Sequence, residues 1–127
     1  MNENEIGDIV VPTAIAVHRE LGPGLLESVY EVVLAQELRN QGLEPRRQVA
    51  IPIKYKGLSF DQGFKADIIL NDKVILELKS VRLIEPVHRK QLQTYLRLAG
   101  LKLGYLINFG AALMKDGIVR AVNGLEE

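Results

Sequence analysis

The first third of the chain has apolar residues at helical spacing. From Glu5 to Leu21 they recur every three or four positions, and a second amphipathic run extends from Leu26 to Gln41 with Gly42 placed to end it. Gly22-Pro23-Gly24 breaks the chain between the two runs. The pattern therefore predicts a helical hairpin, in which Pro12 either kinks the first helix or marks where its regular part begins.

The middle of the chain changes to the alternation that is typical of β-strands. Val49–Tyr55 alternates apolar and polar residues, and Pro52 makes it an edge or irregular strand because proline cannot donate a ladder hydrogen bond. Phe64–Leu70 and Val74–Ser80 predict two further strands. The polar segment Asn71–Lys73 joins them, which predicts a hairpin.

The last third of the chain returns to a helix and then to strands. A helix is predicted from Glu85-Pro86 to Ala99, ended by Gly100. Leu103–Phe109 and Ile118–Val122 are predicted to be closing strands with a loose segment between them. We therefore expect an α/β fold of the α+β sandwich kind, a mixed central β-sheet flanked by helices, with residues 1–127 forming one domain.

Composition narrows the class of protein. Apolar residues make up 47% of the 127 residues and charged residues 25%, which is the usual mixture of a globular domain. Cys is 0, so disulfides, thiolate zinc sites and cysteine nucleophiles are excluded, and a reducing, cytoplasmic setting is expected. The chain opens with acidic residues and no long apolar run follows, so neither a signal peptide nor a membrane span is expected.

Charge is balanced overall but unevenly distributed. Lys plus Arg is 16 and Asp plus Glu is 16, so net charge gives no general case for nucleic-acid binding. Residues 1–44 contain two basic and eight acidic side chains, whereas residues 79–127 contain eight basic and four acidic ones. This asymmetry indicates an anionic partner near the second half of the chain.

Two neighbouring strands contain charged residues that interrupt an apolar pattern. Alternation places Glu77 and Lys79 on one face of the second strand. Asp67 lies in the preceding strand, and it comes opposite Glu77 if a three-residue loop joins the two strands. That loop length pairs Leu70 with Val74. A two-residue loop would instead turn Asp67 to the other face, so the prediction depends on an odd-length connection or a bulge.

Adjacent carboxylates point to a cation. Two buried carboxylates repel each other, and a divalent cation relieves the repulsion. Carboxylate oxygens suit Mg²⁺ or Mn²⁺, which keep positions open for water and phosphate oxygens. Lys79 would then lie beside the attacking water or the phosphate. The structural alternative is a salt-bridge ladder of Asp67, Glu77 and Lys79 on a half-solvated sheet, because E-x-K often occurs by chance.

The same residues belong to a longer motif. Asp67, Glu77-Leu78-Lys79 and the helical residues Gln91 and Tyr95 stand in the order D…E-x-K…Q-x-x-x-Y. This order resembles the pattern of the PD-(D/E)XK nuclease superfamily. Ala66, where that pattern has Pro, precedes Asp67, but this position is not a ligand.

A second motif lies upstream, where the second predicted helix begins. Gly24, Glu27 and Tyr30 match the G-x-x-E-x-x-Y signature of one compact branch, the GxxExxY protein family. The resemblance extends from about Ile6 to the last strand, and it implies a restriction-endonuclease-like core with an N-terminal helical hairpin.

The resemblance also implies roles for individual residues. Asp67, Glu77 and the main-chain carbonyl of Leu78 would hold the metal ion. Lys79 would orient or activate water and stabilise developing negative charge. The electrostatic role is favoured, because a lysine beside carboxylates stays protonated and is a poor base. Glu27 resembles the extra acidic residue that many such nucleases add to the metal site.

Several side chains near this site are candidates for substrate contact. Gln91 and Tyr95 lie one helical turn apart on one face, and Tyr30 lies one turn after the candidate acidic residue of the second helix. Packing against the sheet is the alternative for all of them. Arg89 and Lys90 belong to the basic helix, along which a phosphate backbone could lie.

The leading hypothesis is a metal-dependent phosphodiesterase, a nuclease that hydrolyses DNA or RNA with Mg²⁺ or Mn²⁺, with DNA favoured over RNA and no membrane partner. The alternative is a non-cleaving nuclease-fold module that binds nucleic acid or another protein, working as a homodimer or an accessory subunit. Small size and zero net charge favour the alternative. The complete set of Asp67, Glu77 and Lys79 opposes it. Recognition of nucleic-acid structure or ends is expected, because no base-reading motif is present.

Overall fold

The computed structural model describes residues 1–126. Its elements follow one another as predicted, with three strands between the helical hairpin and the third helix. They are α1 (Glu3–Leu21), α2 (Glu27–Asn40), β1 (Pro45–Tyr55), β2 (Leu58–Leu70), β3 (Val74–Lys79), α3 (Pro86–Ala99), β4 (Leu103–Asn108), a 3₁₀ turn (Met114–Asp116) and β5 (Ile118–Val122). The predicted fold class is confirmed.

The five strands form one mixed sheet in the order β1-β2-β3-β4-β5. β3 and β4 run parallel because α3 connects them as a crossover, and the other neighbouring strands run antiparallel. Leu70 pairs with Val74 across the three-residue loop Asn71–Lys73. Asn71 and Asp72 both have φ of 53°, a left-handed conformation that Asn and Asp tolerate better than most residues.

α1 begins well before Pro12. Asn2 caps it by accepting a hydrogen bond from the Glu5 amide at 2.8 Å, and the Glu5 side chain accepts one from the Asn2 amide at 3.0 Å. Pro12 lies inside the helix. Of the two readings of the sequence, the start of the regular helix at Pro12 is therefore wrong.

Helices cover both faces of the sheet. α1 and α2 pack on one face, where Leu76, Leu78 and Ile107 belong to the larger apolar cluster. α3 packs on the other face, where Leu92 and Leu96 contact a smaller cluster that is extended by partly buried residues of β1, β2 and β5. Glu77 lies between two residues of the first cluster, so alternation directs its side chain to the α3 face.

β1 and β2 are longer than predicted. β2 begins at Leu58 rather than Phe64, because Lys56 and Gly57 adopt φ of 44° and 84° and return the chain directly along β1. The sequence gives little strand signal between Leu58 and Gly63, since Ser, Asp, Gln and Gly are poor strand formers. β3 pairs with β2 only through Ile68–Leu70. Residues 51–64, which we call the arm, therefore extend past β3 as a two-stranded ribbon.

Asn108 joins the loops that follow β3 and β4. Its side chain is buried, its Oδ1 accepts hydrogen bonds from the amides of Val81 and Gly110 at 3.0 Å, and its Nδ2 donates to the Val81 carbonyl at 2.8 Å. A Cβ at Gly110 would lie 2.4 Å from that carbonyl, so only glycine allows this close approach. Asn108 thus fixes the chain that follows Lys79.

None of the helices in residues 1–126 combines the length and the apolar character that crossing a membrane requires.

Replacing Asn108 by Ala should lower the free energy of unfolding by about 2 to 3 kcal/mol, since three hydrogen bonds to partly buried backbone groups are lost at once. Asn40→Ala is the control, because Asn40 is exposed and should change stability by no more than about 0.5 kcal/mol. Urea unfolding of both variants measures the difference. Equal stabilities would mean that Asn108 does not hold these two loops together.

Candidate active site

The site forms where β2 separates from β3. The regular register ends at the pair Ile68–Leu76, and its continuation brings Asp67 opposite Glu77. Beyond that pair, side-chain carboxylates replace backbone carbonyls as the acceptors of hydrogen bonds between the two strands. The Asp67 amide donates to Glu77 Oε1 at 3.2 Å, and the Leu78 amide donates to Asp67 Oδ2 at 2.8 Å. The two carboxylates that were predicted from loop length therefore meet.

Strand alternation breaks at Asp67. Ile68 packs in the cluster beneath α1 and α2, whereas Ala66, two residues earlier, packs in the cluster beneath α3. Opposite this point on β1, Gln48 has φ of 53°, a strained value for a residue other than glycine. Gln48 and Asp67 interrupt the pairing between the flanking residues of β1 and β2. This irregularity frees the Asp67 carboxylate to turn toward β3.

Glu77 is strongly perturbed by its position. Only 6% of the residue is exposed, and burial, followed by the charge of Asp67 and a hydrogen bond with the Asp67 side chain, raises the pKa of Glu77 to about 9. Lys79 and the Asp67 amide act in the opposite direction. In the metal-free protein at neutral pH, Glu77 therefore holds a proton.

These oxygens fit a small divalent cation. Lys79 accepts a backbone hydrogen bond from Phe109, the residue that follows β4, at 2.8 Å, so the backbone groups of the preceding residue Leu78 point the other way, toward β2. The Leu78 carbonyl consequently faces the same side as the Asp67 carboxylate. Two carboxylates in contact and a carbonyl directed toward them are the oxygen ligands that Mg²⁺ and Mn²⁺ prefer.

Lys79 lies at the end of β3 and is half-buried. It shares a strand face with Glu77, and its charge lowers the pKa of that carboxyl group. Among residues 1–126 it makes no ion pair or hydrogen bond that would occupy its ammonium group. Its charge is therefore available to a phosphate or a water molecule.

The buried carboxylate on α2 is Glu31, which the sequence analysis did not single out. Glu31 is 5% exposed, and its Oε2 accepts a hydrogen bond from Arg47 Nε at 2.9 Å and forms an ion pair with Arg47 Nη2 at 2.8 Å. Its Oε1 accepts from Gln48 Nε2 at 2.7 Å, and the same nitrogen lies 3.4 Å from Asp67 Oδ1. Glu31 thereby fixes Gln48 beside Asp67. The sequence signal that could have identified Glu31 is its position one helical turn after Glu27.

Glu27 lines the same cleft as Asp67 but is itself exposed. The cleft has a volume of about 260 Å³ and is lined by Glu27, Ser28, Glu31, Arg47, Gln48, Asp67 and Leu78. Within residues 1–126 no three His, Asp or Glu side chains lie close enough together to hold a metal ion. Glu27 faces the site without joining the carboxylate pair, so its role as a metal ligand stays a prediction.

Tyr30 packs in the core and does not line the cleft. Its ring is fully buried and stacks on Phe109 with centroids 4.3 Å apart. Its hydroxyl donates to the Gly22 carbonyl at 2.6 Å and accepts from the Leu25 amide at 3.0 Å. Tyr30 therefore packs in the core, which was the alternative to substrate contact. The predicted substrate contact is not supported, because the hydroxyl already holds the loop between α1 and α2.

Of the candidate substrate-contact residues on α3, one lies near the carboxylates and the others are exposed to solvent. Tyr95 is half-buried, and its pKa is raised by burial first and then by the charges of Glu77 and Asp67, which places its hydroxyl near the pair. Gln91, Arg89 and Lys90 are exposed on the same helix. Their substrate contacts stay predictions.

Comparison with known families agrees with this geometry. The family model described as the PD-(D/E)XK nuclease superfamily matches residues 4–121. The chain belongs to this superfamily. No curated protein and no solved structure matches the chain significantly. Membership in the PD-(D/E)XK superfamily indicates a nuclease-type function with a nucleic-acid substrate, and these nucleases generally use divalent metal ions.

The raised pKa of Glu77 predicts an unusual dependence of stability on pH for this PD-(D/E)XK protein. Between the ordinary pKa of 4.5 and about 9, the native state binds a proton that the unfolded state has lost. Stability of the metal-free protein should therefore fall as pH rises through this window. Glu77→Gln cannot lose the proton, so its stability relative to wild type should increase steadily with pH.

The measurement is urea unfolding in EDTA at a series of pH values. Glu37→Gln, at an exposed position of α2, is the matched control and should follow the wild-type curve. Parallel curves for wild type and Glu77→Gln would show that Glu77 ionises normally and would remove the case for a strained carboxylate pair.

Proposed function

We propose that the protein is a metal-dependent phosphodiesterase that hydrolyses nucleic acid, with DNA favoured over RNA. The observation that carries the proposal is the contact between the Asp67 and Glu77 carboxyl groups beside the ammonium group of Lys79, which has no partner among residues 1–126. A structural salt-bridge ladder would pair the lysine with a carboxylate. Here the carboxylates meet each other instead, and burial, together with the charge of Asp67, raises the pKa of Glu77 so that it keeps its proton.

Asp67, Glu77 and the Leu78 carbonyl would hold Mg²⁺ or Mn²⁺, and the exposed Glu27 at the cleft is the candidate for a further ligand. The bound ion would act as a Lewis acid toward a water molecule and the phosphate. Binding would require Glu77 to release its proton, so affinity for the ion should increase with pH.

Lys79 would act on the reacting phosphate as a fixed positive charge. It is half-buried, so its interaction with a phosphate is screened less than that of an exposed lysine. A protonated lysine cannot accept a proton from water, but it can orient the water and stabilise the negative charge that develops on phosphate oxygens. Tyr95 of α3, on which the charges of Glu77 and Asp67 act, could donate a hydrogen bond from its hydroxyl group to the same phosphate.

Exposed cations of α3 would bind the substrate backbone. Arg89 and Lys90 lie in the first turns of the helix that covers the site, and Gln91 follows them. Such side chains contact phosphates without reading sequence. They support a nuclease that recognises the form of its substrate rather than a base sequence.

We also propose that the chain belongs to the GxxExxY branch of the superfamily. The signature residues are Gly24, Glu27 and Tyr30. Glu27 lines the cleft, whereas Tyr30 holds the preceding loop through hydrogen bonds to the backbone of Gly22 and Leu25. Ser80 Oγ donates to the Leu25 carbonyl at 3.1 Å. The motif would thus attach the helical hairpin to the end of β3.

A second candidate function is a module that binds nucleic acid or another protein without cleaving, as a homodimer or accessory subunit. It is favoured by the fact that within residues 1–126 only two carboxylates meet, and by Gln48, which lies against Asp67 where a further ligand would be needed. Glu31 holds Gln48 in that place.

The two functions are separated by a cleavage assay on wild type and Lys79→Ala. Wild type should cut at least one of single-stranded, duplex, flapped or branched DNA, or RNA, with Mg²⁺ or Mn²⁺. Lys79→Ala should remain folded and bind the same substrate but cut it about a hundredfold more slowly or worse, because one preorganised charge is lost.

Lys102→Ala is the matched control, since Lys102 is exposed in the turn between α3 and β4. It should cut at the wild-type rate. A wild type that cuts none of these substrates, or a Lys79→Ala variant that cuts equally well, would reject the nuclease and favour the non-cleaving module.

A further inference from the structure

The aromatic residues fall into two groups. The chain has 4 Tyr, 3 Phe and no Trp. Tyr30, Tyr105 and Phe109 are buried in the cluster beneath α1 and α2, which accounts for them as core. The other aromatic residues lie on or beside the arm, outside that cluster. They are Tyr55, Phe60, Phe64 and Tyr95, which we call the aromatic track.

The aromatic track begins at the candidate active site. Tyr95 stands near Asp67 and Glu77, which contribute to its raised pKa. Phe64 stacks on Tyr95 with centroids 3.9 Å apart and an angle of 6° between the rings. Phe64 lies three residues before Asp67 on β2, so the base of the arm is fixed against α3 beside the carboxylates.

Cross-strand pairing carries the track along the arm. The successive opposed pairs are Ile51–Phe64, Ile53–Phe60 and Tyr55–Leu58. The register shifts between Ile51 and Ile53, and from Ile53 outward the pairing is regular again. Tyr55 therefore lies on the same face as Ile53 and its opposed residue Phe60. Ile51 and Phe64 pack beneath α3 at the base of the arm, and Tyr55 and Phe60 lie together on one face nearer the tip.

The outer part of this face is open to solvent and flanked by positive charge. Tyr55 is 62% exposed and Phe60 is 49% exposed, unusual values for large side chains on adjacent strands. Lys54 and Lys56 lie at the tip and Lys65 at the base, against a single acidic residue, Asp61. Lys56 Nζ lies 5.3 Å from the Tyr55 ring centroid, so a cation stands directly beside an exposed ring.

We propose that the arm binds unpaired nucleotides of the substrate, stacking their bases on Tyr55 and Phe60 while the lysines contact the adjoining phosphates. The proposal rests on the nucleic-acid substrate of the proposed function and specifies its class as single-stranded DNA or a single-stranded end. Exposed aromatic rings beside lysines are how proteins bind single strands without sequence preference. Paired bases do not offer their faces to such rings.

Charge distinguishes this occupant from a second copy of the chain. An interface between two identical arms would bring their lysines together, with only Asp61 on each arm to offset them. A polynucleotide supplies a negative charge for each cation and an aromatic base for each ring. The position of the arm also favours it, because its base lies against Tyr95 of α3, near Asp67 and Glu77.

The first test is binding by Tyr55→Ala/Phe60→Ala. Affinity for a fluorescein-labelled oligothymidylate and for a duplex of equal length would be measured by anisotropy with Mg²⁺, in the Lys79→Ala background so that nothing is cut. Single-strand affinity should fall about 25-fold or more and duplex affinity should change little, since stacking on each of the two aromatic rings contributes about fivefold or more. Val32→Ala, which removes an apolar side chain that is 50% exposed on α2, should change neither.

A second variant reports stacking directly. Because the chain has no Trp, Tyr55→Trp introduces a unique fluorophore. Unlabelled oligothymidylate should quench its emission with the affinity seen by anisotropy. Val32→Trp is the matched control and should show no quenching.

Three results would overturn the proposal: unchanged single-strand affinity in Tyr55→Ala/Phe60→Ala, an equal loss for duplex, or no binding of either by the parent. A change in molecular mass by light scattering in this variant would instead identify the arm as an interface between copies. Single-strand binding through the arm by a wild type that cuts nothing would reject the proposed nuclease and leave this proposal standing. If the arm variant cleaves as fast as wild type, the proposed nuclease stands and the proposal for the arm is rejected.

Discussion

The separation of β2 from β3 at Asp67 is the constraint on which the site depends. If the antiparallel ladder continued, the Leu78 amide would be bonded to a backbone carbonyl and the Asp67 side chain would project from the face of the sheet. Instead the ladder stops after Ile68–Leu76, and the Asp67 carboxylate accepts the hydrogen bond from Leu78 while its own amide donates to Glu77. The same exchange of bonds satisfies the backbone, brings the two carboxylates together and leaves the Leu78 carbonyl facing them. The end of regular pairing between β2 and β3 thus places a set of oxygen ligands together.

The rest of the fold stabilises this arrangement against its own electrostatic cost. Burial of Glu77 beneath α3 disfavours its charge, and the neighbouring Asp67 disfavours it further. Packing on both faces of the sheet offsets this unfavourable free energy. Glu31 and Gln48 hold Asp67 from the α2 side, and the Asn108 hydrogen bonds fix the loop after Lys79. A site that is strained when empty gains most from a cation, because the ion removes the repulsion that protonation otherwise relieves.

Sequence reasoning reached the site because its key relation is local. A three-residue loop after Leu70 determines which residues pair, so the contact between Asp67 and Glu77 follows from counting. Glu31 and Gln48 could not be found in the same way: the left-handed backbone of Gln48 depends on its bonds to Glu31 and Asp67, residues far from it in sequence. Tyr30 resembled a site residue because it belongs to a motif, but burial decides its role. The outer part of β2 was missed because Leu58–Gly63 has little strand propensity of its own, and the pairing of Leu58–Phe60 with β1 holds it in the sheet.

The most direct test of the account is anomalous diffraction from crystals soaked in Mn²⁺, recorded for wild type and for Asp67→Asn. We expect one anomalous peak in wild type, between the carboxylates of Asp67 and Glu77 and within about 2.3 Å of the Leu78 carbonyl oxygen, and a strongly reduced peak in Asp67→Asn. A wild-type crystal in which Mn²⁺ binds elsewhere, while Asp67 and Glu77 remain in direct contact, would contradict the claim that this pair is a cation site.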